Sequence, residues 1–166
     1  NRRPTRGKAL QDRHGIRTTT NNNEVIKHAD LCVLSVKPQT LATILNELHG
    51  HAPKDSLVLS IVAGANMNII REGLGHHRVA RCMPNLPCRI REGMTVWTAP
   101  PDIRASDVDR IEQILGVMGG TVRVEDEGHV DMATAVNGTG PAIVAQFVKA
   151  MMEAAAYIGE SRSVAK

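Results

Sequence analysis

Residues 31–39, Leu-Cys-Val-Leu-Ser-Val-Lys-Pro-Gln, form an apolar run that stops at a lysine and a proline. The run is too short for a buried helix and does not alternate in polarity. It therefore predicts a strand buried on both faces, as in parallel sheets covered by helices on both sides. Pro38 falls where the first turn of the next helix begins and its missing N–H leaves no bond unmade; Leu41, Ile44, Leu45 and Leu48 follow at helical spacing. Lys37 then stands at the carboxyl end of a central strand, the edge of an open α/β sheet at which ligands bind.

The same grammar extends both ways. Residues 57–62 are a second apolar strand closed by Ala63-Gly64, so 31–62 reads as a right-handed βαβ crossover. Upstream, 6–14 is helix-compatible and ends at Gly15, 16–20 reads as a short strand, and Asn21, Asn22 or Asn23 caps a short helix carrying Val25 and Ile26. Downstream come a helix over 67–74 with Ile69, Ile70 and Leu74 inward, a strand over 78–83 halted at Pro84, and a strand over 93–98 closed by Pro100-Pro101. Ser106 with Asp109 resembles a capping box for a helix striped by Val108, Ile111, Leu115 and Met118; Gly119-Gly120 stops it before a last strand over 121–125.

From Val130 onward only helical patterns remain. Residues 132–136 read as helix, 137–140 as a break, and Pro141 as the opening of a helix whose Val144, Phe147, Val148, Met151, Ala155 and Ile158 share a face. Ile143, Met152 and Ala154 widen that face, and a helix apolar nearly all round is buried by partners, here further chain or a second subunit. A boundary near Gly128 divides an α/β domain, 1–127, from the start of a helical domain, 128–166.

With one Trp, one Tyr and one Phe, the core must come from Ala, Val, Ile, Leu and Met. The net charge is +3, and only Arg2, Arg3, Arg6 and Lys8 cluster, a patch that suits a phosphate but lacks the size and stacking aromatics for nucleic acid. No stretch approaches the roughly 18 apolar residues of a membrane span. Cys32, Cys82 and Cys88, odd in number and without C-x-x-C spacing, fit a reducing cytosol and hence a cytoplasmic location. His49, His51, His76 and His77 read as solvated loop residues, with no metal-ligand pattern, and Asp126-Glu127 as a solvated turn.

Strand ends at 1–3, 36–39, 62–64 and 83–87 collect on one edge of a parallel sheet, which is a binding edge. There the motifs converge. Asn1-Arg2-Arg3, Asn22 with Glu24, Ala29-Asp30, Val36-Lys37-Pro38-Gln39, residues 60–64, Arg81-Cys82-Met83-Pro84-Asn85 with Pro87, Arg91-Glu92-Gly93, Asp131, Thr134-Ala135 and Gly138-Thr139-Gly140-Pro141-Ala142 together resemble pyrroline-5-carboxylate reductase, in order and spacing through the whole chain.

The resemblance implies a Rossmann-type, doubly wound, mostly parallel α/β sheet that binds NADPH, with NADH as the alternative donor, followed by the start of an all-helical domain that builds a homo-oligomer. It implies reduction of the imine of 1-pyrroline-5-carboxylate to L-proline, the last step of proline biosynthesis. By position, Asn1, Arg2 and Arg3 would read the adenosine ribose and its phosphate, which suits the planar fork of arginine. Asn22 would lie on the adenosine side, Ser35, Val36, Lys37 and Pro38 along the cofactor, Ile61, Val62 and Ala63 near the nicotinamide, and Glu127 at the catalytic site. The family's glycine-rich first βα turn would precede Asn1 and its substrate-carboxylate loop would follow Lys166, so the chain reads as a fragment, inactive alone. Asn137 and Thr139 stand where the family has serines and Ile143 where it has an aromatic residue. The alternatives are a non-catalytic dinucleotide-binding or dimerising paralogue, and a β-hydroxyacid-type dehydrogenase with Lys149 as its lysine.

Overall fold

Successive residues of a strand point to opposite faces, and the central strands are apolar on both. Val58 and Val79 join one buried cluster, while Leu57, Leu59, Ala80 and Cys82 join the other. The computed structural model, which describes residues 4–161, 163 and 164, places these strands in a five-stranded sheet of order β1-β2-β3-β4-β5. The strands are β1 (Leu31–Leu34), β2 (Leu57–Ser60), β3 (Val79–Met83), β4 (Gly93–Thr98) and β5 (Gly119–Arg123).

The helices are α1 (Pro4–His14), α2 (Asn22–Ile26), α3 (Pro38–Leu48), α4 (Met67–Leu74), α5 (Ala105–Gly116), α6 (Gly128–Ala133) and α7 (Gly140–Tyr157). Leu41, Ile44, Leu45 and Leu48 of α3, with Ile70 and Leu74 of α4, cover one face, and Ile111 and Leu115 of α5 cover the other. Asn21 caps α2 through its side chain, and Gly75 ends α4 in the left-handed conformation.

β1, β2 and β3 are parallel, with Leu34 beside Ser60 and Ser60 beside Arg81. The link from β3 to β4 is a 3-10 turn, Leu86–Ile90, too short for the crossover that a parallel pair needs, so β4 runs back antiparallel. Met83 pairs with Val96 and Arg81 with Thr98, so the first half of β4 overshoots the carboxyl ends of β1 to β3. β5, parallel to β4, reaches only the level of Trp97, where Val124 N–H donates to Trp97 O at 2.9 Å. The chain enters its helical part beside the carboxyl edge.

Several expectations change. β1 is an edge strand of the described sheet and Val33 is 45% exposed, so its outer side is not buried. Residues 16–20 form no strand, because no strand edge pairs with them, and Thr18 and Thr19 bond locally to Gln11 and Glu24. Ile69 points outward, since Ile70 and Leu74 already define the inner face of α4. No capping box forms at Ser106: α5 starts at Ala105 because buried Asp107 pairs with Arg78, while Arg104 pairs with Asp55 at 2.9 Å. The core is not purely aliphatic, for Trp97 is fully buried with the Arg123 guanidinium 5.2 Å from its ring centroid. His76 is no solvated loop residue either; it is buried, its Nε2 2.9 Å from Ser56 O.

Gly119 does not merely stop a helix. It opens β5 opposite Gly93 at φ 130, and a Cβ there would stand 2.2 Å from Gly93 O. Gly119→Ala therefore adds backbone strain and a clash, about 3 kcal/mol of lost unfolding free energy in urea titration. An unchanged midpoint would contradict this pairing.

Candidate functional site

Ile61 N–H donates to Leu34 O at 3.1 Å, so the segments after β1 and β2 leave the sheet side by side. Ser35, Lys37 and Pro38 are exposed and Val36 is half-buried; beside them Val62 is buried and Ile61 and Ala63 are half-buried. The turn that follows is open, since Gly64 lies at φ 72 with nothing within 4 Å of where a Cβ would be. The result is a ledge with exposed backbone and a lysine along one side and a small apolar floor along the other. The carboxyl edge of an open parallel sheet is where ligands of such folds bind. Lys37 anchors the ledge by its backbone, its carbonyl accepting from Thr40 N–H at 2.9 Å and from Thr40 Oγ1 at 3.0 Å.

Arg81 sits on β3 at 1% exposure. Its Nη1 donates to Glu127 Oε1 and to Asp131 Oδ2, both at 3.2 Å, and its Nη2 to Asp131 Oδ1 at 2.5 Å, so Asp131 is gripped as by a fork. Burial works to lower the guanidinium's pKa, but the hydrogen bonds and charges of Asp131 and Glu127 outweigh it and the net direction is up. The same hydrogen bond, against some desolvation, holds the Asp131 carboxyl below its ordinary value. Glu127 Oε1 also accepts from Met67 N–H, the first residue of α4, at 2.7 Å. Arg81 Nε is buried without a partner.

A second, uncharged tie lies alongside. Asn85 Nδ2 donates to Asn137 Oδ1 at 2.8 Å, Asn137 Nδ2 to Met94 O at 2.8 Å, and Met94 N–H to Asn85 Oδ1 at 2.9 Å. Asn137 belongs to a π turn, Thr134–Gly138, that widens the helical winding after α6; only Thr139 then separates it from α7, so the expected break over 137–140 narrows to that one turn residue. Such turns concentrate at functional positions.

Other candidates separate from the ledge. Asn22 Nδ2 donates to Glu47 Oε2 at 3.1 Å, near the far end of α3 and roughly 15 Å of helix from Lys37. Asn1, Arg2 and Arg3 lie outside the described residues. Burial first, with the charge of Cys88 adding, pushes the Cys82 thiol up to about 12, so it supplies no thiolate. Among the described residues no group of three His, Cys, Asp or Glu side chains could hold a metal ion. Lys149 is exposed on α7 and pairs with Glu153 at 3.6 Å. A cavity of about 620 Å³ between α1 and α2, lined by Gln11, Arg17, Thr18, Glu24 and His28 among others, takes in none of the ledge residues.

Along α7 Ile143, Val144, Phe147 and Met151 are each more than half exposed, and no described residue covers them. No helix among the described residues is long and apolar enough to cross a membrane.

Residues 1–64 match the family described as NADP oxidoreductase, coenzyme F420-dependent, and residues 127–166 match pyrroline-5-carboxylate reductase dimerisation. Pyrroline-5-carboxylate reductase of Pseudomonas aeruginosa is 35% identical over 145 residues, covering 87% of this chain and 53% of its own length. That of Escherichia coli is 34% identical over 163 residues, covering 98% and 60%. Over nearly its whole length the chain is similar to pyrroline-5-carboxylate reductases. It spans between half and two thirds of the length of these relatives. Among solved structures, the reductase from Coxiella burnetii superposes with a TM-score of 0.87 at 28% identity, covering 99% of this chain and 62% of its own. The Plasmodium falciparum reductase with NADP bound gives 0.83 at 28% identity, covering 90% and 57%. A prephenate dehydrogenase from Aquifex aeolicus, at 17% identity and a TM-score of 0.65, shares the fold.

Arg81 and Asp131 carried no assigned role from the sequence, although the signal was present: an arginine inside the apolar run Val-Ala-Arg-Cys-Met needs buried acids. Because the folded pKa of Asp131 lies below its ordinary 3.8, its contribution is complete above that value and is lost as pH falls through the folded pKa. Wild type should therefore melt above Asp131→Asn at neutral pH, and the difference should close as the pH is taken down through the lowered folded pKa. A gap that persisted in acid would contradict the ion-pair origin.

Proposed function

We propose that the intact protein containing this chain reduces 1-pyrroline-5-carboxylate to L-proline with NADPH. The observation that carries the proposal is the ledge at the carboxyl edge, where the ends of β1 and β2 run side by side toward the residues bonded to α6. The NADP-bound Plasmodium falciparum relative supports a nicotinamide nucleotide in this fold. Bound NADPH supplies a hydride from its nicotinamide to the imine carbon, and a proton from solvent completes the amine.

What the chain contributes is placement. Ser35, Val36, Lys37 and Pro38 line the cofactor along its length, and Ile61, Val62 and Ala63 form the apolar floor under the nicotinamide, where exclusion of water favours hydride over side reactions. Arg2 and Arg3, with Asn1, read the ribose 2′-phosphate, Asn22 lies on the adenosine side, and Glu127 stands beside the reacting centre. We divide the chain into a nucleotide domain, 1–127, and a helical domain, 128–166. A second copy covers the apolar face of α7, in keeping with the match to the dimerisation family. We place the protein in the cytoplasm, where its cysteines stay free.

The test is cofactor oxidation by the intact protein, dependent on pyrroline-5-carboxylate. NADPH should be preferred over NADH in kcat/KM, and Arg2→Ala with Arg3→Ala should shrink that ratio on the order of tenfold or more by removing the phosphate's fork-like partners. Ala63→Leu, filling the floor, should raise KM for either cofactor. An intact protein that oxidises neither cofactor with this substrate would refute the proposal.

A further inference from the structure

We infer that Glu127 and Arg81 are positioning residues: through a single carboxylate oxygen they hold the 61–66 turn, and so the nicotinamide floor, in place. The inference rests on the proposed reductase reading for what the floor carries, though not for the tie itself.

The turn is fixed at its start by the sheet, with Ile61 N–H on Leu34 O at 3.1 Å and Val62 N–H on Ser60 Oγ at 3.2 Å. Its far end is the N-terminus of α4, where unpaired helix N–H groups need acceptors. Asn66 Oδ1 accepts from Ile69 N–H at 2.9 Å, and Glu127 Oε1 accepts from Met67 N–H at 2.7 Å. Glu127 comes from beyond β5, so one end of the floor is held by the segment that opens the helical part. Arg81 in turn fixes Glu127, and Arg81 cannot wander, since it is 1% exposed and its backbone is paired with Ser60 of β2. The contacts close a loop from the end of β2 through Arg81 and Glu127 back to the turn that leaves β2. Both N–H bonds fall on Oε1, whose two lone pairs are thereby committed to holding.

Rescue separates this role from proton transfer. A glutamine keeps an oxygen that accepts from Met67 N–H, but it cannot donate or take a catalytic proton as a carboxyl can. In the intact protein Glu127→Ala should lower kcat on the order of 100-fold, as a displacement of about 1 Å does, with KM for NADPH moved less than about threefold. Glu127→Gln should recover about tenfold or more of that loss, and Arg81→Lys, a point charge without the fork, should fall between them. Amide exchange of the cofactor-free protein reads the tie without activity: it should quicken at Met67–Ile70 in Glu127→Ala and stay near wild type in Glu127→Gln. Glu127→Gln as slow as Glu127→Ala, with unaltered exchange in both, would overturn the inference in favour of proton transfer. If the wild-type intact protein does not turn over the imine, the functional reading fails, and exchange at Met67–Ile70 still decides the tie.

Discussion

A guanidinium stays charged at any ordinary pH, so placing Arg81 in the middle of a buried strand obliges the fold to bring carboxylates to it. None comes from the strands beside it. Glu127 and Asp131 both lie past β5, and the chain must therefore return to the carboxyl edge before it turns helical. Removing one partner of a buried pair costs about 3–5 kcal/mol, whereas the net gain from forming it is small. Asp131 is 56% exposed, which discounts its share through solvent screening. The cluster thus says where α6 docks more than it says how stable the protein is, and the Asn85–Asn137–Met94 triangle repeats that instruction without charge.

The sheet makes this return feasible. Because the link after β3 holds only a 3-10 turn, β4 reverses and its first half rises past the ends of β1 to β3. β5 follows it and stops level with Trp97, so the residues leading to α6 emerge beside Arg81 and next to the turn from β2. The turn that leaves β2 thus starts in the α/β layer and is fixed at its far end by the segment that opens the helical part.

Much of this fold is legible in the amino-acid sequence. Pro38 at the head of α3, the four inward leucine and isoleucine positions of that helix and the glycine at the end of α4 each carry a local physical reason and stand where expected, and the run at 31–39 forms its strand over Leu31–Leu34, though at the edge of the described sheet and not buried on both faces. What failed depended on partners. Residues 16–20 have strand-like side chains but pair with no strand among the described residues, and at Ser106 no cap forms where the buried Asp107 next to it pairs with the half-buried Arg78. Strand direction is likewise silent in an apolar run, so the reversal at β4 could not be read from 93–98 alone. At the site, the ledge residues came from pattern and resemblance, whereas the Arg81 cluster required knowing that β3 lies against α6.

The central claim is that the carboxyl-edge ledge carries the cofactor and that the Glu127 tie belongs to the same unit. Hydrogen–deuterium exchange of the intact protein with and without NADP tests it most directly. The account predicts new protection over 35–38 and over 61–67 together. Protection confined to the cavity between α1 and α2, around Arg17 and His28, with the ledge unchanged, would contradict it.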